Sequence, residues 1–153
     1  EKTEKMEYTH KVQYYETDQM GIVHHAVYPI WFEAARGDYV RQQGIGYDEI
    51  EAMGYMIPLH DLTCTYRRPC VYEEEVIVVT RIQKANAVKL VFSYEVYKEG
   101  EDTPRVTGTT THAWVHKDTF QMANLKKENR KLYDFIMESY EHDKKDANSQ
   151  IDE

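Results

Sequence analysis

An acidic residue, a glycine and two adjacent histidines precede a strongly apolar run near the start of the chain. They are Asp18, Gly21, His24 and His25, within the stretch ETDQMGIVHHAVYPIWFEAARGDYV at residues 16–40. Pro29 lies just inside the apolar run, and proline fits only the first turn of a helix, so a helix must begin close to residues 25–28. The N–H groups of that turn, from about His25 onward, have no partner within the helix and carry partial positive charge. They predict a site for an anion, or for negative charge developing on oxygen, facing Asp18.

The same spacing also allows a simpler explanation, in which Asp18 or a histidine caps the helix. Asp18 lies several residues before the expected N-cap, which is far for an ordinary cap. Tyr14 and Tyr15 crowd the same region together with the two histidines. Both explanations stay open on spacing alone.

Hydrophobic periodicity predicts one strand, a long apolar helix, four consecutive strands and a second helix. The helix over residues 26–43 is apolar on more than one face, so most of its surface should be covered. After Pro58 the apolar residues alternate, which is typical of strands with one buried face. The predicted strands cover residues 8–16, 62–68, 74–82, 88–98 and 105–116, the second helix covers 125–141 with Asn124 as its N-cap, and a short helical turn is expected within 48–53.

This order of elements predicts the α+β class, with an antiparallel sheet wrapped around a long central helix and an added C-terminal helix. We expect a single domain over residues 1–142, and we expect the charged tail over 143–153 to be disordered. Gly37 within the first helix costs up to about 1 kcal/mol relative to alanine, so another backbone is expected to pass close to it, although chance is an equal explanation.

Composition argues against several functional classes. The chain has 19 basic and 27 acidic residues among 153, a net charge of −8, which disfavours nucleic acid and anionic membrane surfaces as partners. No apolar run approaches the roughly 20 residues of a membrane span, and we expect a cytoplasmic protein without membrane insertion. Cys64 and Cys70 match neither a disulfide framework nor a zinc motif, and His112 and His116 are too far apart on one strand to share a metal ion. We therefore predict no metal site and no cofactor.

Two stretches resemble the signatures of a known family. YYETDQMGIVHHAVYPIWFEAARGDYV is similar to the D-x-x-G-[IV]-V loop and H-x-x-Y helix start of the 4-hydroxybenzoyl-CoA thioesterase family of hotdog-fold proteins. YRRPCVYEEEVIVVTRI is similar to that family's second signature, in which an aromatic residue and a proline lead through an acidic turn into a valine-rich strand. The resemblance covers roughly residues 7–117 and points to the small bacterial acyl-CoA thioesterases. The family usually has Asn before the tyrosine of the helix start, where this chain has Val27.

The resemblance implies hydrolysis of an acyl-CoA thioester to a free acid and CoA. The residues suit this chemistry, because a thiol with a pKa of about 8.5 leaves as the thiolate without a proton donor, and the site needs only an attacking group and oxyanion donors. Asp18 is expected to act as nucleophile or general base, and the N–H groups of His25 and Ala26 are expected to polarise the carbonyl. The expected substrate contacts are Tyr15, Gly21, Val23, His24, Tyr28 and Arg68, the last because CoA phosphates need local cations.

Other functions stay open on the sequence. A hotdog enoyl-CoA hydratase or dehydratase would use a histidine with a carboxylate, and a non-catalytic acyl-CoA-binding protein would need no carboxylate beside the thioester. Glu33 is a reserve carboxylate on the helix, although pairing with Arg36 is its simpler role. An unpaired sheet edge predicts a homodimer, and the resemblance implies the same or a homotetramer, with the acyl-CoA sites at the subunit interface.

Overall fold

A five-stranded sheet, a long helix against one of its faces and a second long helix near the C-terminus make up the structure. The computed structural model describes residues 6–151. The helices are α1 (Tyr28–Gln43), α2 (Tyr47–Ala52), α3 (Leu125–Glu128) and α4 (Arg130–Ile151). The strands are β1 (Met6–Lys11), β2 (Tyr55–Met56), β3 (Leu59–Tyr66), β4 (Glu75–Ala85), β5 (Lys89–Lys98), β6 (Val106–Ala113) and β7 (Val115–His116). Over the residues described, none of the helices is long and apolar enough to span a membrane.

The main sheet is antiparallel throughout, with the strand order β1-β4-β5-β6-β3. Along β5, Phe92 and Tyr94 are buried while Ser93 and Glu95 are partly exposed. This alternation turns one face of the sheet towards the core, as the period-two pattern predicted. The short strands β2 and β7 form a separate antiparallel ladder.

α1 packs closely against the inner face of the sheet. Phe32 of α1 is fully buried, and its ring stacks on Tyr94 of β5 with 4.4 Å between ring centroids. Gly108 of β6 makes room for the same ring, because a Cβ there would lie 2.5 Å from Phe32 Cε2 and 2.5 Å from the carbonyl oxygen of Thr63. The absence of a side chain at Gly108 therefore sets how closely α1 approaches the sheet.

Two predicted strands are shorter than expected. The first ends at Lys11, because the next residues form a single 3-10 turn, Tyr14–Glu16, in which the Glu16 carboxylate accepts the Gln13 N–H at 2.9 Å. The last divides into β6 and β7 at Trp114, whose N–H donates to the carbonyl oxygen of Val88 at 3.0 Å. Local hydrogen bonds thus end both strands at points where the alternation of apolar residues in the sequence continues.

The C-terminal segment that was expected to be disordered is helical as far as Ile151. Buried Asp143 accepts the Tyr39 hydroxyl at 2.5 Å and the Ile82 N–H at 2.8 Å. Asp146 accepts the Arg81 Nε–H at 3.1 Å. The expectation of disorder is therefore wrong for residues 143–151, since two acidic residues of the segment bind donors on α1 and β4. Residues 152–153 lie outside the described part of the chain.

Gly108 and Gly37 give opposite predictions for substitution by alanine. At Gly108 the added methyl group collides with backbone and ring atoms, so Gly108→Ala should lower the free energy of unfolding by about 1–3 kcal/mol. At Gly37 the nearest atom to an added Cβ is Tyr47 Cε2 at 3.8 Å, so no described backbone passes close to it. Gly37→Ala should therefore raise stability by up to about 1 kcal/mol. Urea unfolding measures both values, and a loss of equal size in both variants would contradict this packing.

Candidate active site

The loop between β1 and α1 is a tight turn that presents Asp18. Thr17 and Val23 pair with each other on either side of the turn. The Asp18 N–H donates to the Ile22 carbonyl, and the Gly21 N–H donates to the Asp18 carbonyl, each at 2.9 Å. Gly21 has a φ of +80°, a conformation that glycine adopts without strain. Gly21 thus allows the chain to fold back on itself, as the sequence predicted.

The Asp18 side chain is half-buried, and only one of its two carboxylate oxygens accepts a hydrogen bond from a described residue. Its Oδ1 accepts the Met20 N–H at 2.8 Å, which fixes the carboxylate against its own loop. Within residues 6–151 its Oδ2 has no hydrogen-bond partner. Asp18 does not cap α1, because the N-cap is Val27 and no side chain binds the first turn there. One carboxylate oxygen is therefore positioned and the other is available.

The backbone donors at the start of α1 differ in part from the predicted pair. The Ala26 N–H donates to Nδ1 of His24 at 3.0 Å, so it is already occupied. The Val27 N–H donates to the His24 carbonyl at 2.9 Å. Among the described residues, the N–H groups of His25 and Tyr28 make no hydrogen bond. The free donors are therefore those of His25 and Tyr28, and the expectation for Ala26 is not met.

The two histidines have different roles in this turn. His24 Nδ1 accepts the Ala26 N–H, which holds the ring against the start of α1. The two rings stack with 4.2 Å between their centroids. The carbonyl oxygen of His25 accepts the Tyr66 hydroxyl at 2.9 Å. A hydrogen bond with Cys64, together with burial, raises the pKa of Tyr66 to about 12, so this hydroxyl keeps its proton.

A cavity of about 230 Å³ lies between the Asp18 loop, the start of α1 and the end of β3. It brings together five of the predicted site residues and five others. The predicted ones are Asp18, Val23, His25, Tyr28 and Arg68; the others are Met20, Ile22, Tyr66, Arg67 and Pro69.

Four predicted site residues do not line this cavity. Gly21 shapes the turn and His24 holds the Ala26 amide, so both act on the loop rather than on the cavity. Ala26 is exposed on the surface. Tyr15 is 82% exposed and is not brought to the cavity. The prediction for Tyr15 relied on its nearness in sequence, but the 3-10 turn directs it into solvent.

The sequence did not single out Tyr66, because it fell within the strand predicted over residues 62–68 and carried no signal of its own. Its position beside the Arg-Arg-Pro segment, within the second family signature, was the available signal. Tyr28 forms the opposite wall, and its hydroxyl accepts the Cys70 N–H at 3.2 Å. The two tyrosine rings meet edge to face with 5.7 Å between their centroids. This contact joins β3 to the start of α1 beside the cavity.

The Glu16 carboxylate, which does not line the cavity, joins the Asp18 loop to α1 through hydrogen bonds. It accepts the Gln13 N–H at 2.9 Å, the Trp31 Nε1–H at 2.9 Å and His10 Nε2 at 2.9 Å. Its backbone carbonyl accepts the His24 N–H at 2.9 Å. Burial opposes ionisation of Glu16, but the hydrogen bonds outweigh it and hold the pKa of this carboxyl below its usual value. Glu16 therefore fixes the position of the loop relative to the helix.

Two arginines supply positive charge at the cavity. The N–H groups of Arg67 and Arg68 both donate to the Arg105 carbonyl, at 2.9 and 3.1 Å. The Arg68 guanidinium lies 3.7 Å from Glu101, whereas Arg67 makes no ion pair with any described residue. Arg105 is itself anchored by Glu74 at 3.0 Å and by Glu101 at 2.8 Å. Arg67 is thus the less neutralised cation of the two.

The described residues contain no cluster of side chains suited to a metal ion.

Comparison with known proteins identifies the class to which this fold and site belong. The model of the thioesterase-like superfamily matches residues 12–138, and the chain belongs to this superfamily. YneP of Bacillus subtilis (strain 168), by its name a candidate acyl-CoA thioesterase, is 34% identical over 76% of this chain and 84% of its own length. The solved structure of a DHNA-CoA thioesterase from Staphylococcus aureus is 30% identical, with a TM-score of 0.81 over 88% of this chain and 89% of that one.

A solved hypothetical protein from Thermus thermophilus has the same architecture, with a TM-score of 0.79, 34% identity and coverage of 88% of this chain and 98% of its own. The predicted α+β hotdog fold is therefore confirmed, as is the family resemblance.

Glu16 gives a prediction that depends on pH. Glu16→Gln should lower the free energy of unfolding by about 2 kcal/mol at pH 7, because a buried acceptor loses its charge. A carboxyl whose pKa is lowered on folding stabilises the fold above its unfolded pKa of 4.5 and loses that contribution as the pH falls below it. The difference between wild type and variant should therefore shrink below about pH 4.5. Urea unfolding at pH 7 and pH 3.5 measures this difference in the free energy of unfolding.

Exposed Glu7 on β1 is the control, and Glu7→Gln should change stability by less than about 0.5 kcal/mol. A constant difference at both pH values would contradict the assigned charge.

Proposed function

We propose that this protein is an acyl-CoA thioesterase that hydrolyses its substrate to a free acid and CoA. One observation carries the proposal: a carboxylate with an unused oxygen, Asp18, lines the same cavity as two residues with free backbone N–H groups, His25 and Tyr28. The family membership supports thioester hydrolysis, as do the names of the relatives from B. subtilis and S. aureus.

The proposed reaction follows from these groups. The thioester carbonyl oxygen accepts from the N–H of His25, and the N–H of Tyr28 takes the place first expected for Ala26. Asp18 Oδ2 either attacks the carbonyl carbon to form a mixed anhydride, which water then hydrolyses to the free acid and the Asp18 carboxylate, or it removes a proton from a water molecule that attacks the carbonyl carbon directly. The carbon–sulfur bond breaks and CoA leaves as the thiolate, so the site needs no proton donor for the leaving group.

The arginines at the cavity suit the phosphates of CoA. Arg67 makes no ion pair with a described residue, and Arg68 is only loosely paired with Glu101. A guanidinium group binds phosphate oxygens with two parallel hydrogen bonds. We assign the phosphate contact to both, with Arg67 added to the predicted Arg68.

The functional unit in this proposal is a homodimer or homotetramer. β3 is one of the two edge strands of the sheet and has exposed residues on both faces. Leu59, Leu62 and Tyr66 on β3, and Ile30 on α1, expose large apolar surfaces. An unpaired edge with exposed apolar side chains favours pairing with a second copy. Because Tyr66 also lines the cavity, such pairing would place the site at the subunit interface.

Asp18→Asn tests the chemistry. The variant should bind acyl-CoA as wild type does but lose turnover by about 100-fold or more, because the amide cannot act as a base or a strong nucleophile. Release of free CoA from a panel of aliphatic and aromatic acyl-CoAs, followed with a thiol reagent, measures turnover, and calorimetric titration with the same thioesters measures binding. Exposed Asp118 is the control, and Asp118→Asn should keep full turnover.

Two outcomes of the same assay would contradict the proposal. Binding of acyl-CoA by the wild type without release of CoA would favour a non-catalytic acyl-CoA-binding protein. Loss of the enoyl-thioester absorbance without release of CoA would favour a hydratase.

Leu62→Lys tests the assembly. Wild type should sediment at a mass of at least twice the 18.2 kDa of one chain. The variant should shift towards the single-chain mass and lose turnover with it, because a charge on the edge opposes strand pairing. Met122 is also exposed but pairs with Val115 of β7, outside the main sheet, so Met122→Lys should leave the mass unchanged. Sedimentation velocity measures both, and a wild type at the single-chain mass would overturn this part of the proposal.

A further inference from the structure

Arg36 is a buried cation in the middle of α1, with only 9% of its surface exposed. Its Nε–H donates to the Tyr47 hydroxyl at 2.8 Å, and an Nη1–H donates to the Tyr94 hydroxyl at 3.0 Å. Burial raises the pKa of both tyrosines above their usual value, so both hydroxyls are uncharged at neutral pH. Two neutral oxygens therefore hold the guanidinium without balancing its charge.

No carboxylate among the described residues forms an ion pair with Arg36. Glu33, which was expected to pair with it, is exposed one turn earlier on the helix, and Glu51 of α2 is also exposed. A buried charge without a paired counter-charge is unfavourable. The guanidinium of Arg36 is therefore a buried cation without a direct counter-ion.

The hydrogen-bonded chain behind Arg36 supplies no negative charge either. The Tyr94 hydroxyl bonds to Thr110 Oγ1 at 2.6 Å, which bonds to His112 Nε2 at 2.9 Å. His112 Nδ1 bonds to the carbonyl oxygen of Ile57 at 2.9 Å. Burial lowers the pKa of His112 to about 4, and the nearby Arg36 contributes in the same direction. This chain is therefore neutral at pH 7, and it fixes Tyr94 in place.

A cavity of about 170 Å³ adjoins Arg36 between α1, α2 and the β2–β3 connection. Most of its lining is apolar or aromatic. The lining residues are Arg36, Tyr47, Ile50, Glu51, Tyr55, Met56, Ile57 and Pro58. The two N–H groups on Nη2 of Arg36 have no partner among the described residues. A cavity of this size holds a group of about the volume of a benzene ring.

We propose that this cavity is a binding site for a small monocarboxylate, held by the guanidinium of Arg36. The planar fork of the guanidinium matches the two oxygens of a carboxylate. A single cation and the nearby Glu51 carboxylate disfavour a dianion such as phosphate, and the apolar lining suits the hydrocarbon part of a short aliphatic or aromatic acid. The proposal does not depend on thioester hydrolysis, since it uses no residue of the Asp18 cavity.

NMR of protein labelled with ¹⁵N-arginine tests the site directly. The Nε–H signal of Arg36, assigned by its loss in Arg36→Lys, should shift saturably with benzoate or hexanoate at millimolar concentration or below. Inorganic phosphate at the same concentration should cause no saturable shift. Absence of a saturable shift with either acid, or an equal response to phosphate, would overturn the proposal.

Matched variants separate this site from others. Glu51→Gln removes the opposing carboxylate and should tighten benzoate binding by about 3- to 10-fold, and because Glu51 is exposed this variant should fold normally. Arg41→Lys, at an exposed arginine of the same helix, should leave the affinity unchanged. Asp18→Asn should also leave it unchanged, whatever its effect on turnover. An unaltered affinity in Glu51→Gln, or weaker binding in Asp18→Asn, would place the acid elsewhere and refute the assignment to Arg36.

Discussion

The carboxylate of Glu16 is the contact on which the arrangement of the candidate active site depends. Its side chain binds donors from β1, the 3-10 turn and α1, while its carbonyl holds the amide of His24. A buried, ionised carboxylate is stable only when several donors satisfy it, so Glu16 fixes these elements relative to one another. The loop that carries Asp18 is therefore held at the start of α1 by a group that does not itself line the cavity.

The second constraint is the distance between α1 and the sheet. Gly108 lets Phe32 lie flat on Tyr94, and Tyr94 in turn binds Arg36, so the packing of the core and the position of a buried cation are coupled. The helix thus supports two different polar sites. Two residues at its start that have free N–H groups, His25 and Tyr28, line the Asp18 cavity, and its middle places a guanidinium beside a second cavity.

Much of the candidate active site could be predicted from the sequence, because the signals for it are local. Pro29 restricts where the helix begins, and α1 starts at Tyr28. Gly21 indicated a turn, and its φ of +80° fits that role. The free amide of His25 follows from the same helix start. Tyr15 and Ala26 do not line the cavity, because the 3-10 turn directs the Tyr15 side chain into solvent and the Ala26 N–H donates to Nδ1 of His24. Neither arrangement can be derived from spacing.

The sequence by itself determined the α+β class, the order of the elements and the closeness of Asp18 to the start of α1, because periodicity, proline and glycine act over a few residues. Only the tertiary structure decided which distant residues meet. It brought Tyr66 and Arg67, at the end of β3, to the Asp18 loop, and it bound Asp143 to donors on α1 and β4. It also buried Arg36 without an ion-pair partner among the described residues. These contacts join residues far apart in the chain, and the packing of α1 against the sheet fixes them.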